Sequence, residues 1–348
     1  MLSPKSSPLG QQLKEYVLVR ITRMDAIDIG LFEHDRNNTI YFYMLNADER
    51  IYMRYGGRDS RSADSYLNIE SLVLAAKKGL ELHGYYKAGT LPKVDRPKPA
   101  SPRDIPMLFR RTYHVGSCVE CHLIGDYQNM HREEDGTLDK LVHLFRSPDL
   151  RTIGIELNVP KGLEVKSVSG PVQAAGMKPG DVIATWAGAT VWTFADVQHR
   201  YNEVPRDSKQ VKVGVRRGEA IVELTIALPP RWWWTDTRWR QSSVEPRSYF
   251  EDRELSAEEK RKLGLAEDSF ASEVKYVAEI ARSTKAHELV VGDVIVGVDG
   301  VEKDGIANTA SLYLILKKTP GDTANLTVLR AGKRIEMKLQ TVRMSFRK

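Results

Sequence analysis

The apolar positions change period several times along the chain. Tyr16 to Thr22 (YVLVRIT) is a β-branched apolar run of strand length, which predicts a strand. Met24 to His34 places Ile27, Leu31 and Phe32 near helical spacing and predicts a helix. Thr39 to Asn46 and Arg50 to Tyr55 read as two strands, with a hairpin turn over 46–49. From Tyr66 to His83, Leu67, Leu72, Leu74, Ala75 and Leu80 follow a helical stripe. Between Lys87 and Arg111 the periodicity gives way to five prolines and seven Lys or Arg against two Asp. Proline removes backbone donors and favours extended chain, so this stretch predicts a stiff, solvated tether. Cys118 to His131 again allows a helix.

The rest of the chain repeats itself. Pro179-Gly180-Asp181-Val182-Ile183 returns as Val291-Gly292-Asp293-Val294-Ile295, and Val215-Arg216-Arg217-Gly218-Glu219 as Leu329-Arg330-Ala331-Gly332-Lys333. Each copy ends in an alternating strand, Ala220 to Leu228 and Arg334 to Val342. An ordered series of matches at a near-constant offset predicts a duplicated domain. Between the copies, Arg231 to Arg240 (RWWWTDTRWR) concentrates four tryptophans and three arginines. Aromatic packing accounts for it better than a membrane anchor or a nucleic-acid stacking platform.

Composition narrows the classes. The 348 residues suffice for two or three domains, and 41% hydrophobic with 28% charged residues is ordinary for a folded protein. Two cysteines exclude a disulfide framework. No apolar run is long enough to predict a membrane span, and the first residues have no apolar core of the kind an export signal needs. The net charge of +6, with 46 acidic residues interspersed, is too dilute to predict a nucleic-acid partner. Neither a Walker loop, nor G-x-G-x-x-G, nor a G-x-S-x-G elbow occurs, and the paired carboxylates Glu133-Glu134-Asp135 and Glu251-Asp252 read as turn charges.

The first copy resembles the PDZ domains of bacterial HtrA-like proteins. The residues that carry the resemblance are Ile153 to Leu157, Gly162 to Val165, Gly170 to Met177 and Lys178 to Ile183, with Thr193 to Val204 at the position of the groove helix. In the second copy Leu263-Gly264-Leu265 and Val291 to Ile295 fit, while Ala281 to Ala286 replace the small residues ahead of the repeat motif. The resemblance implies capture of extended peptide C-termini by β-augmentation, with the carboxylate held by backbone donors of Ile153-Gly154-Ile155 and Leu263-Gly264-Leu265. Grooves that are empty, or filled by the chain itself, are the competing expectation. No protease triad precedes the copies.

Both cysteines fall in Ser117-Cys118-Val119-Glu120-Cys121-His122, a C-x-x-C-H motif. Three chemistries use that pattern. The leading one is covalent c-type haem, with Cys118 and Cys121 bonded to the porphyrin and His122 on the iron. A sixth ligand would then come from Met107, His114 or His143. A dithiol redox pair is the second. A metal such as zinc is the third, with a fourth ligand from His114, Asp126, His131 or His143. The other histidines (His34, His83, His199, His287) read as surface or packing residues.

At the level of the whole chain, the order of these parts is similar to a bacterial family of thioredoxin-like/PDZ (seleno)proteins. Tyr41 to Asp48, Arg54 to Asp59, Cys118 to His122, the first copy and Trp232 to Trp239 carry that resemblance. It implies an α+β multidomain architecture: a partial thioredoxin-like α/β domain (1–86), a proline-rich linker (87–111), a short helical C-x-x-C-H segment (112–147), a PDZ-like β-barrel (148–230), a connector (231–247) and a second PDZ-like β-barrel (248–348). Against that family the first strand and redox helix of the thioredoxin-like domain are missing, and the expectation is a start placed too late, with a selenocysteine codon read as a stop. The resemblance further implies an exported, periplasmic redox and interaction protein. The alternatives are a non-catalytic PDZ scaffold, or a thiol-disulfide oxidoreductase whose main motif lies upstream of Met1.

Overall fold

A computed structural model describes residues 4–38, 40–113, 119–240 and 242–344. It divides into two compact units. One is formed by residues 1–131 and 145–240, the other by residues 132–144 and 241–348. Several small antiparallel sheets and short helices make up a mixed α/β architecture.

In the first unit, helix α1 (Pro8–Leu13) precedes a hairpin of β1 (Tyr41–Leu45) and β2 (Ile51–Gly56) and the long helix α2 (Ile69–Lys87). Asn68 starts α2 by accepting the Ser71 amide, and Leu72, Ala75, Ala76 and Leu82 face inward at helical spacing. With Leu9, Met44, Met53 and Tyr55 they form a small core.

Three expectations differ here. The YVLVRIT run is extended but pairs with no described strand, and Val17 and Val19 stand 92% and 79% exposed. Strand preference is a preference for a pleated, half-buried surface, and without a neighbour it yields no strand. Residues 24–34 form turns instead of a helix, because the Asp28 carboxylate accepts the amides of Gly30, Leu31 and Ala100. The proline-rich tether ends in structure: Pro102 opens a 3₁₀ turn and Pro106 opens α3 (Pro106–Thr112), each at the first helical position, where a missing N–H costs nothing.

Helix α4 (Cys121–Glu134) follows, and its last turn belongs to the second unit together with α5 (Lys140–His143). The segment 112–147 is therefore shared between the units.

The first repeat contains β3 (Ile155–Leu157), β4 (Val165–Val168), α6 (Gly170–Ala174), β5 (Val182–Trp186), β6 (Ala189–Thr190), α7 (Phe194–Asn202), β7 (Gln210–Arg217) and β8 (Ala220–Ala227). The second contains β9 (Phe250–Glu254), α8 (Ala257–Lys262), β10 (Ser272–Val277), α9 (Glu279–Ser283), β11 (Val294–Val298), α10 (Ala310–Lys317), β12 (Thr323–Arg330) and β13 (Lys333–Gln340). Neither copy is a closed barrel, which corrects the sequence expectation. The first splits into β3-β4 and β6-β5-β7-β8, because a single bridge, Glu164 to Val182, links β4 to β5. The second is an open sheet in the order β13-β12-β11-β10-β9, its ends joined only by the bridge Arg247 to Val342.

The duplicated motifs explain each other. Asp181 and Asp293 are buried at 2% and 1% exposure. Each receives a two-pronged arginine from the other motif, Arg217 at 2.8 and 2.7 Å and Arg330 at 2.7 and 2.8 Å. The same aspartates accept the amides of Lys178 and Val290. Arg217→Ala is expected to lower stability by leaving the Asp181 carboxylate without its two-pronged partner. The neighbouring exposed Arg216→Ala should stay within about 0.5 kcal/mol. Denaturant titration of the two variants checks this.

Candidate functional site

The first turn of α4 carries the described part of the C-x-x-C-H motif. Cys118 and the proposed ligand His114 lie outside the described residues. Cys121 opens α4 and packs on an apolar cluster of Met24, Ile29, Ile105, Leu108, Val119 and Ile124. Met24 donates its amide to the Val119 carbonyl at 3.4 Å, which ties the 24–29 turns to the centre of the motif. Sequence reading gave Met24 no role, since only the fold brings it to Val119.

Burial pushes the Cys121 thiol above its ordinary value, and the Arg36 guanidinium partly opposes the shift. His122 is half exposed, 3.4 Å from the Glu120 carboxylate. Met107 sits half-buried on α3 outside this cluster. His143 belongs to the second unit, where its Nδ1 accepts the Asp139 amide. Among the described residues no group of three His, Cys, Asp or Glu side chains is placed to hold a metal ion, and no helix is long and apolar enough to cross a membrane.

Beside α4 lies a buried ionic network that sequence spacing did not show. Gly125 of α4 faces Arg36, whose guanidinium donates to His34 Nδ1 (3.1 Å) and to the carbonyls of Phe32 and Ile29. His34 Nδ1 is also 2.9 Å from the Tyr43 hydroxyl. Burial, with Arg36 alongside, pushes the His34 imidazole down to about 3. Asp35 pairs with Arg240, and Glu33 with Arg146. Burial alone would raise the Asp35 carboxyl, yet Arg240 and Arg146 hold it well below the usual range. Trp239 lies between the guanidinium groups of Arg58 and Arg240, 4.1 and 4.0 Å from its ring centre. The Trp/Arg run thus packs within the first unit: Trp232 stacks on Tyr201, and Trp233 meets Phe145 edge-on. A small polar cavity, lined in part by Glu33, His34, Arg146 and His199, has room for about one water.

The two grooves differ. In the first repeat Ile153 and Ile155 are buried and Gly154 takes φ +91°, where an added Cβ would lie 2.0 Å from the Ser169 carbonyl. Ser169 donates its amide to the Gly154 carbonyl, and in the second repeat Ala278 donates to Tyr249 in the same way. Ile155 opposes Val168 as Phe250 opposes Val277. The position matching Gly154 is therefore Tyr249, with φ +59°. Leu263-Gly264-Leu265 instead ends α8, where Gly264 at φ +71° closes the helix by donating to Arg261. Strand and helix of the second copy are tied directly. The half-buried Asp252 of β9 accepts the amide (3.1 Å) and hydroxyl of Ser311 on α10 and the Ser272 hydroxyl (2.7 Å).

In the first copy the corresponding helix is engaged by the chain itself. Asp196 accepts the Arg54 amide at 3.0 Å, Thr193 donates to the Arg54 carbonyl, and Gln198 donates to the Arg58 carbonyl at 3.3 Å. Tyr66 stacks on Phe194, and Arg61 pairs with Glu156 of β3 at 2.9 Å.

The sequence matches no known family, and no curated protein matches it. Solved structures that resemble parts of it include the HtrA-type protease AlgW with a decapeptide, at 15% identity over 52% of this chain and 54% of that one, TM-score 0.27. A second AlgW–decapeptide structure matches at 19% identity over 40% of this chain and 50% of that one, TM-score 0.26. The chain thus spans about half the length of the solved structures it matches.

Proposed function

We propose that this is an exported redox protein of the thioredoxin-like/PDZ type, in which the Cys118-x-x-Cys121-His122 motif holds a covalent c-type haem and the PDZ-like repeats serve mainly as packing modules. The observation that carries the reading is the first turn of α4: the Cys121 sulfur faces an apolar wall while the adjacent His122 imidazole remains open to solvent. The residues fit the group. A porphyrin needs apolar surroundings, two thiols and a ligating imidazole; the described residues supply the Cys121 thiol beside an apolar cluster and the exposed His122 imidazole, and the spacing of the motif supplies the second cysteine. Bound through both sulfurs, a haem would supply one-electron transfer. Cys118 and Cys121 would anchor the group, His122 would ligate the iron, and the cluster of Met24, Ile29, Leu108 and Ile124 behind Cys121 would keep water from that side.

The state of the repeats supports the same division of labour. Helix α7 is engaged by residues 54–66, and β9 is bound to α10 through Asp252. Capture of peptide C-termini by either groove is then secondary.

Expression together with haem-c maturation machinery should give a coloured protein with a reduced-minus-oxidised haem spectrum that survives acid–acetone extraction. Cys118→Ala with Cys121→Ala should be colourless. A colourless wild-type protein that exchanges disulfides would favour the thiol oxidoreductase, and a colourless one that binds peptides the scaffold.

A further inference from the structure

We infer that the first repeat is a peptide-binding module whose ligand is the chain's own segment 54–61, which leaves β2 at Gly56 and is held in cis, and that its groove accepts an external peptide of the same course only when this segment is displaced. The contacts are of the kind a module uses for a peptide. The polar groups at the start of α7 address backbone. Asp196 and Thr193 take both the N–H and the C=O of Arg54, and Gln198 takes the C=O of Arg58. Such readout leaves side-chain identity open at Arg54 and Arg58, so the demand on sequence falls on the residues between and after them.

Shape is tested at Gly57. Its φ is +105°, and a Cβ there would lie 2.8 Å from the Phe194 ring, so the ligand must be smallest where it crosses the first residue of the helix. Arg61 then reaches Glu156 on β3 at 2.9 Å, and Tyr66 closes over Phe194 with nearly parallel rings. The segment thus touches the helix and the strand that border the groove. The occupant implied is a peptide that turns at a central glycine and carries a basic residue four positions later, as in Gly57 and Arg61.

A ligand tethered in the same chain acts at an effective concentration on the order of millimolar. A free peptide of micromolar intrinsic affinity is then weakened by roughly 10³-fold.

The probe is a synthetic peptide of residues 51–61, titrated against the full chain. Gly57→Val and Tyr66→Ala displace the segment by different defects, one steric and one by loss of stacking. Each should raise the peptide's affinity by roughly 10²–10³-fold over wild type. Adding Asp196→Ala to either should abolish the gain. Wild type binding as tightly as the variants, folded variants that do not bind, or binding indifferent to Asp196→Ala would each overturn the inference. Should neither variant fold, the wild-type chain decides. Millimolar peptide should speed hydrogen exchange at the Arg54 amide, and an unchanged rate would count against exchange of the segment.

Discussion

Asp35→Ala is expected to cost about 3–5 kcal/mol, a large share of the ~5–15 kcal/mol that holds a domain folded. The Arg240 side chain is 5% exposed and Asp35 2%, so neither charge has water to fall back on. Removing the carboxylate leaves Arg240 buried on Trp239 with Arg58 on the same ring. The loss comes from the stranded cation and not from the strength of the pair, since paired burial of opposite charges only roughly offsets their desolvation. Asp35→Ala combined with Arg240→Met should therefore recover much of the stability. Denaturant unfolding of the two single variants and the double variant closes the cycle, and independent, additive losses would contradict this reading.

Acid should unfold the first unit well before carboxylate titration alone would. His34 and His199 are pushed down to about 3 and about 4 by burial, with Arg36 and Arg54 respectively adding to the effect. Folded, both rings are neutral; unfolded, both protonate below their ordinary 6.5. Stability is therefore lost as pH falls from 6.5 toward those depressed values. Asp196 runs the other way. Burial raises it to about 6, so the penalty for its ionised form is relieved as pH falls through 6 toward 3.8. Between pH 6.5 and 4 each imidazole withdraws about 2.5 pH units' worth of stability and Asp196 returns about two, a net loss of about three units or roughly 4 kcal/mol. Glu33 and Asp35, both held low by arginines, add to the loss below their ordinary values. Unfolding followed against pH should show the decline beginning near 6.5. In His34→Gln the gain from Asp196 nearly cancels the loss from His199, so the decline between pH 6 and 4 should almost vanish, and an unchanged slope would remove His34 from the account.

The parts of the fold that the sequence announced are those where local chemistry and tertiary role coincide. The Gly-Asp-Val-Ile and Arg-containing motifs repeat because Asp181 needs Arg217 and Asp293 needs Arg330. Helix α7 begins at the expected Thr193, whose hydroxyl accepts the Asp196 amide. What stayed hidden depends on residues far apart in the chain. Nothing near Asp35 hints at Arg240, and the Arg54–Asp59 stretch gives no local sign that it will lie on α7. The second repeat misleads for a different reason. A search for glycine selects Gly264, whereas the left-handed position matching Gly154 is filled by Tyr249. Of the candidate haem site, the Cys-x-x-Cys-His spacing was legible. The apolar wall, with Met24 bonded to Val119, emerged only from the fold.

Mass analysis of the proteolytic fragment spanning Cys118 to His122, taken from full-length protein made in cells competent for haem attachment, tests the central claim most directly. The account predicts a coloured fragment heavier by one haem, linked through both sulfurs. An uncoloured fragment of unmodified mass, with two free thiols, would contradict it.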